Sequence, residues 1–308
     1  MRPDAGRYAA VMAPKHTLNH TLAGAAGDAS NFKASMRSQW DAAAHGWNAH
    51  TPAIAAWLHD ATVAMLGMAD VRAGSRVLDV AAGAGEQTLA IAQRVGPNGS
   101  VLATDLSPAI VELARANAAR AGFANVHARV ADGEDLNVPQ GSFDAVVCRL
   151  GLMFFPDPQR GVCEMFRALR SGGGACTMVF SRPQNNPCVT ILMSTALRHA
   201  GLPQGDPQAP GGLLSLGQPG RMDALFKEAG FRDVATTAID AAFRMPTVDH
   251  YLDFVRTSAS PVQHILGTLD PGAAAAAWGE MRERLNVYTT PTGWEGPNEL
   301  LLTAGRRP

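Results

Sequence analysis

The stretch Arg76-Val77-Leu78-Asp79-Val80-Ala81-Ala82-Gly83-Ala84-Gly85-Glu86 decides the fold. Its first part is an apolar run that carries one acid, strand-like in composition, and its second part is a small-residue turn that ends in another acid. A further apolar run, Val101-Leu102-Ala103-Thr104, closes on Asp105, roughly twenty residues beyond the turn. Strand, glycine turn, helix and following acid are the layout of a nucleotide-binding βαβ unit, where that acid takes ribose hydroxyls. A Gly-x-Gly after an apolar run is also an ordinary structural turn, so the rest of the chain has to decide between the two.

The rhythm continues outward. Residues 77–80 and 101–104 read as the first two strands, with a helix between them that starts near Gly85 and ends before Gly96-Pro97-Asn98-Gly99. Ser107-Pro108 supplies an N-cap and a first-turn proline, and Gly122 a stop. Residues 125–130, 143–150 and 175–181 read as three more strands, the last two joined by a helix over about 158–170. Strands alternating with helices give an α/β fold: a Rossmann-like, doubly wound, seven-stranded, mostly parallel sheet with helices on both faces. Residues 231–245, as one long strand, and 298–304 complete it as a C-terminal antiparallel pair.

Around this core, residues 1–34 are rich in Ala, Gly, Asn and Thr without a period and read as a loose N-terminal arm. Residues 35–308 form one domain: a helical cap over 35–72, a core over 73–182, and helical or loop segments over 183–230 and 247–296 that are expected to form a lid. The cap carries Trp40, Trp47, Ile54, Trp57 and Leu58 among its larger apolar residues.

Composition narrows the class. The 308 residues are 46% hydrophobic and 17% charged, a globular profile, and 26 Lys plus Arg against 27 Asp plus Glu leave a net charge of -1. With no basic run, a nucleic-acid backbone is not an expected partner; a small molecule is. Cys148, Cys163, Cys176 and Cys188 form no Cys-x-x-Cys pair and no zinc spacing, so no metal is expected and a reducing cytoplasm is the simplest setting. Basic residues near the start precede no apolar core, so they do not read as a secretory signal, and no window is long enough to span a bilayer.

Asp79 and Glu86 bear on which nucleotide. A dinucleotide lays its pyrophosphate on this turn, where flanking carboxylates would repel it. S-adenosylmethionine carries no phosphate but a ribose, an ammonium and a sulfonium, and Gly83-x-Gly85-x-x-Thr88 lacks the third glycine of the dinucleotide fingerprint.

Five blocks then carry a resemblance: residues 77–85, Ala103-Thr104-Asp105-Leu106-Ser107, Ala131-Asp132-Gly133-Glu134-Asp135-Leu136, residues 141–148, and Leu169-Arg170-Ser171-Gly172-Gly173-Gly174. In order and spacing they resemble the class I S-adenosylmethionine-dependent methyltransferases of the ubiquinone/menaquinone-biosynthesis-like group, over about residues 75–181. The resemblance implies that Asp79 and the backbone of Ala81 and Gly83 hold the methionine part and Asp105 the ribose diol. It further implies that Leu106 packs on adenine, that Asp132 and the Gly133 amide meet the adenine edge, and that Arg149 and Leu150 line the side of the transferable methyl. Ala81 stands where the group usually has glycine. Each acid alone reads equally as a cap or turn residue, and Asp144 is read as structural.

Methyl transfer from a sulfonium is an in-line displacement that needs position and dryness more than a catalytic group. Where a base is needed, His45 is the first candidate, with His50, His250, Tyr251 and His264 behind it; each also reads as a surface or capping residue. Trp40, Trp47, Met153, Phe154 and Phe155 are candidates for the acceptor wall, with Phe254 and Trp278, and core packing accounts for the same residues. Cys148-Arg149-Leu150-Gly151 lacks the Pro-Pro-aromatic tetrad of nucleic-acid amine methyltransferases, which favours a small metabolite acceptor. The competing readings are a protein that binds the donor without transferring methyl and a nicotinamide-dependent oxidoreductase.

Overall fold

The computed structural model describes residues 22–208 and 212–308. Its centre is a seven-stranded sheet of β1 (Arg76–Val80), β2 (Ser100–Asp105), β3 (Val126–Val130), β4 (Phe143–Arg149), β5 (Leu169–Phe180), β6 (Arg232–Asp240) and β10 (Glu299–Arg306). The spatial order is β3-β2-β1-β4-β5-β10-β6, and β10 alone runs against both of its neighbours. The inner strands β1, β4 and β5 are nearly continuous buried runs, as strands covered on both faces must be, while the edge strands β3 and β6 are largely open.

Chain order reverses between β1 and β4, which opens a crevice at their carboxyl ends. Register brings those ends level, with Val80 beside both Thr104 of β2 and Cys148 of β4. The loops leaving these strands therefore converge on one place.

The helices are α1 (Leu22–Ala49), α2 (Thr51–Met68), α3 (Glu86–Val95), α4 (Pro108–Arg120), α5 (Pro158–Ala168), α6 (Pro187–His199), α7 (Arg221–Glu228), α8 (Val248–Ser258), α9 (Ser260–Leu266) and α10 (Pro271–Leu285). Their starts follow capping chemistry. Ser107 accepts from the Ile110 amide at 3.1 Å, Asp157 from Arg160 at 3.0 Å, and Asp270 from Gly272 and Ala273 at 3.0 Å each. Gly85 caps α3 at φ +89°, and a Cβ there would press on Ala114 at 3.2 Å.

Two segments differ from the sequence reading. Residues 1–21 of the expected loose arm lie outside the described residues, while residues 22–34 already belong to α1, which extends further toward the N-terminus than the apolar pattern indicates. The expected long strand over 231–245 is two: β6 ends at Asp240, and β7 (Phe243–Met245) leaves the sheet. Ala241 is held at the break, its amide donating to the Asn298 carbonyl at 2.8 Å and its carbonyl accepting from Trp57 Nε1 at 2.8 Å. β7 then pairs with β9 (Gly293–Gly296), and β9 with β8 (Thr289–Thr290), in a small antiparallel sheet. Between that sheet and α8 the buried Tyr251 stacks on Trp294 at 4.5 Å. Among the described residues no helix is long and apolar enough to cross a membrane.

Candidate functional site

The turn after β1 is built on left-handed backbone. Ala81, Gly83 and Gly85 have φ of +53°, +58° and +89°, and for Ala81 this costs about 1 kcal/mol that glycine would not incur. The amides are largely used within the protein: Ala82 donates to the Thr104 carbonyl at 2.9 Å, Gly83 to Asp105 Oδ2 at 3.1 Å and Gly85 to the Ala82 carbonyl at 3.2 Å. A pyrophosphate needs such amides free, so the turn is poorly equipped for a dinucleotide.

Asp105 ends β2 beside the turn, its second oxygen accepting from the Ser107 amide at 3.0 Å. Burial pushes its carboxyl up to about 6 against the pull of these backbone donors. A carboxylate has about four lone-pair positions, so two amide bonds leave capacity for a diol.

Asp79 sits elsewhere. It is fully buried beneath the turn, accepts from Thr88 Oγ1 at 2.6 Å and from Gln87 Nε2, and does not line the cavity in the crevice. Burial raises its carboxyl to about 7, with Thr88, Gln87 and the charge of Arg149 opposing the rise. Gln87 is the residue between Asp79 and the cavity, and its Oε1 has no partner. Arg149, at the end of β4, pairs with Glu86 and donates to Thr62 Oγ1 at 2.8 Å. Glu86 is therefore neutralised rather than free to meet a ligand.

At the opposite end of the crevice, Asp132 Oδ1 accepts from the Glu134 amide at 2.9 Å, and its Oδ2 lies 2.6 Å from Lys33 Nζ. Lys33, on α1, also reaches Glu134 at 2.5 Å. Gly133 has no room for a side chain because the Phe155 ring lies against it, and the same ring presses on Gly161. Phe155 is thus wedged beneath the loop at Asp132 and Gly133 as well as lining the space.

These parts border a single cavity of about 200 Å³. At one end it is lined by Ala81, Gly83, Asp105, Leu106, Asp132, Gly133, Arg149 and Leu150, the expected donor residues other than Asp79. At the other it runs into a chamber of Trp57, Phe180, Leu192, Phe243, Tyr251 and Phe254. Trp40, Trp47, Met153, Phe154 and Phe155 all border it, with Trp40 edge-on to Phe154 at 5.4 Å. Trp47 is at the junction, since a Cβ on Gly83 would come within 3.2 Å of its Nε1.

The roof is α1 together with α8. Asp41 of α1 accepts from the Ser107 hydroxyl and from the Ala109 amide at 3.3 Å, and Asn48 bonds Asn117 at 2.7 Å. His50 joins α8 through Thr257 Oγ1 at 2.7 Å.

The base candidates are not brought together. His45 is exposed on α1 and away from the cavity, His250 caps α8 through Thr247 at 2.8 Å, and His264 is exposed. Trp278 is under the guanidinium of Arg256 at 4.8 Å, outside the lining. Of the candidate bases only Tyr251 lines the cavity, and burial holds its phenol well above its ordinary value of 10.0, so it is a donor at neutral pH. Among the described residues no group of His, Cys, Asp and Glu could hold a metal. Sequence reasoning missed Lys33, Gln87, Trp57, Phe180 and Phe243 as lining residues; only the position of Trp57 in an apolar helical pattern carried a signal.

The sheet order and the crevice define a class I methyltransferase fold, and the similarities to known proteins agree. Residues 77–173 match the family described as Methyltransferase domain. The ubiquinone/menaquinone biosynthesis C-methyltransferase UbiE of Hahella chejuensis is 36% identical over 116 residues, 37% of this chain and 47% of that protein. Nocamycin O-methyltransferase of Saccharothrix syringae is 29% identical over 224 residues, 69% of this chain and 79% of that protein. The YcgJ protein of Bacillus subtilis superposes with a TM-score of 0.54 at 20% identity, over 81% of this chain and 98% of its own. The [4+2]-cyclase SpnF superposes with a TM-score of 0.50 at 20% identity, over 81% of each chain.

The matched segment thus has the class I methyltransferase fold and is similar to the corresponding segment of UbiE. The chain spans about half the length of the UbiE relatives that it matches.

Proposed function

We propose that this protein transfers the methyl group of S-adenosylmethionine to a small, uncharged, largely apolar acceptor. The observation that carries the reading is the continuity of one cavity from the Asp105 and Asp132 end into an aromatic chamber under α8. The residues suit the donor: a carboxylate with spare acceptor capacity for a diol and a second carboxylate for an exocyclic amine. When bound, that donor supplies an electrophilic methyl on a sulfonium.

What the chain contributes is placement and exclusion of water. Trp47 and Phe254 border the cavity on the roof side, and Leu150 and Met153 border it after β4. The chamber residues from Phe180 onward include no charged side chain, and Arg149 and Lys33 are paired elsewhere. A charged acceptor would lose its hydration there without a counter-ion among the described residues, which disfavours phosphorylated or zwitterionic substrates. Among the described residues no histidine lines the cavity, which favours an acceptor atom that is nucleophilic without a histidine base. C-methylation and O-methylation, the reactions for which the relatives are named, both meet that condition. The setting that best suits such a reaction on a metabolite is the cytoplasm.

Calorimetry with S-adenosylmethionine, S-adenosylhomocysteine and NAD tests the donor. Binding of the first two, reduced at least tenfold in Asp105→Ala, is expected; binding of NAD alone refutes the reading. The resemblance of the fold to the cyclase SpnF keeps a second reading, donor binding without methyl transfer. Labelled methyl appearing in a metabolite extract with the wild-type chain, and not with Asp105→Ala, decides for transfer.

A further inference from the structure

Among the described residues, the chamber has one side-chain polar atom left for a ligand. Trp57 Nε1 donates to the Ala241 carbonyl at 2.8 Å, Trp294 Nε1 to the Leu285 carbonyl at 2.8 Å, and the Ser258 hydroxyl to the Phe254 carbonyl. Tyr251 is different. It is 1% exposed and lines the cavity, and its hydroxyl has no hydrogen-bond partner among the described residues.

The side-chain polar atoms both unpaired and sealed from open space belong to Gln87, Gln159, Thr177, Gln208 and Asn298. The Tyr251 hydroxyl is not among them, so it is not sealed, and the residue that carries it lines the cavity. Its ring is fixed by stacking on Trp294 at 4.5 Å and by Phe243 at 5.0 Å. A buried phenol without a partner forfeits its hydrogen bond to water on folding, a cost that a bound oxygen would restore.

We propose that Tyr251 is the residue that reads the acceptor, donating a hydrogen bond to a carbonyl-type oxygen carried on an otherwise apolar ring compound held among Trp57, Phe180, Phe243 and Phe254. This rests on the reading of the cavity as a donor site continued by an acceptor site. The aromatic walls favour a flat ring by stacking, and the lone donor at a fixed place sets which edge of that ring faces inward. Specificity follows from the same geometry, because a ring without the oxygen leaves the phenol unpaired.

The test uses the full chain with S-adenosylhomocysteine present and two probes, 1-tetralone and its hydrocarbon counterpart tetralin, followed by quenching of tryptophan fluorescence. The wild type is expected to bind both. In Tyr251→Phe the affinity ratio of tetralone to tetralin should fall about tenfold, with tetralin binding unchanged. An unchanged ratio, or no tetralone binding to the wild type, overturns the proposal.

A second measurement needs no variant: the carbonyl stretch of wild-type-bound 1-tetralone is expected at the lower frequency of a hydrogen-bonded ketone, and a stretch like that in hydrocarbon solvent overturns the proposal. Calorimetry of S-adenosylhomocysteine on the same preparation keeps the two readings apart. If that ligand fails to bind while tetralone still responds to Tyr251, the donor reading fails and the role of Tyr251 stands.

Discussion

The methyl group of Ala81 fills the space that a side chain at residue 151 would need: a Cβ built on Gly151 overlaps the Ala81 Cβ. Ala81 is left-handed at φ +53°, whereas Gly151 has an ordinary φ of -102°, so residue 151 is glycine for room and not for conformation. The departure of residue 81 from glycine is thus accommodated across the crevice, between the ends of β1 and β4.

A double-mutant cycle measures this pair. Gly151→Ala alone should destabilise by about 1–3 kcal/mol through overpacking. Ala81→Gly alone should lie within about 1 kcal/mol of wild type, relief of the left-handed backbone offsetting added unfolded-state freedom. In the Ala81→Gly background the cost of Gly151→Ala should fall by at least about 1 kcal/mol in urea melts. Simple additivity would mean that the two residues do not share the space.

Asp79 gives the stability a definite pH dependence. Burial lifts its carboxyl from 3.8 to about 7, and that of Asp105 to about 6, so between those values the folded chain keeps protons that the unfolded chain has released. More protons bound in the native state means that unfolding free energy falls as pH rises, here from about pH 4 to about pH 7. Asp79→Asn removes one of the two contributions. Its stability relative to wild type should therefore grow across that window, by a few kcal/mol at most, and level off above it. Urea midpoints of both chains at pH 5, 6, 7 and 8 give the comparison, and a gap that stays constant with pH contradicts it.

Arg149 and Glu86 form a largely buried pair at the same crevice, with side chains 7% and 19% exposed. Removing one partner strands the other, so Arg149→Met should cost about 3–5 kcal/mol. The double change Arg149→Met with Glu86→Gln should recover much of that loss, because no uncompensated charge remains. Thermal melts of the three chains decide it; a double variant no better than the single one would show that the guanidinium acts through Thr62 instead.

How far the chain was legible depended on where each signal was local. The inner strands announce themselves because β1, β4 and β5 are buried on both faces and read as apolar runs. The break between β6 and β7 falls at Ala241-Ala242, with no glycine or proline to mark it, and is made by the distant Asn298 and Trp57. Asp105, Asp132, Ala81 and Gly83 lie in continuous motifs and all line the cavity. Asp79 shares such a motif but points beneath the turn, and the case against a pyrophosphate now rests on occupied backbone amides rather than on its charge. Trp57, Phe180, Phe243 and Tyr251 come from four separate elements and are of residue types that fill any core, so only the fold shows them as one wall.

The roof depends on Gly46 of α1, where a Cβ would overlap the Thr257 carbonyl oxygen of α8. An exposed helical glycine gains up to about 1 kcal/mol on replacement by alanine. Here the added methyl must push the two helices apart, and with them the bond between His50 and Thr257. Gly46→Ala should leave exchange protection of β1 and β4 intact while lowering it in α1 and α8, read by hydrogen exchange and mass spectrometry. Because Trp47 and Phe254 flank this seam at 6.3 Å from each other, the same variant should bind 1-tetralone more weakly. S-adenosylhomocysteine should be affected less, since Asp105 and the turn after β1 lie on the sheet. Unchanged protection in α1 and α8 would show that the two helices do not close the site together.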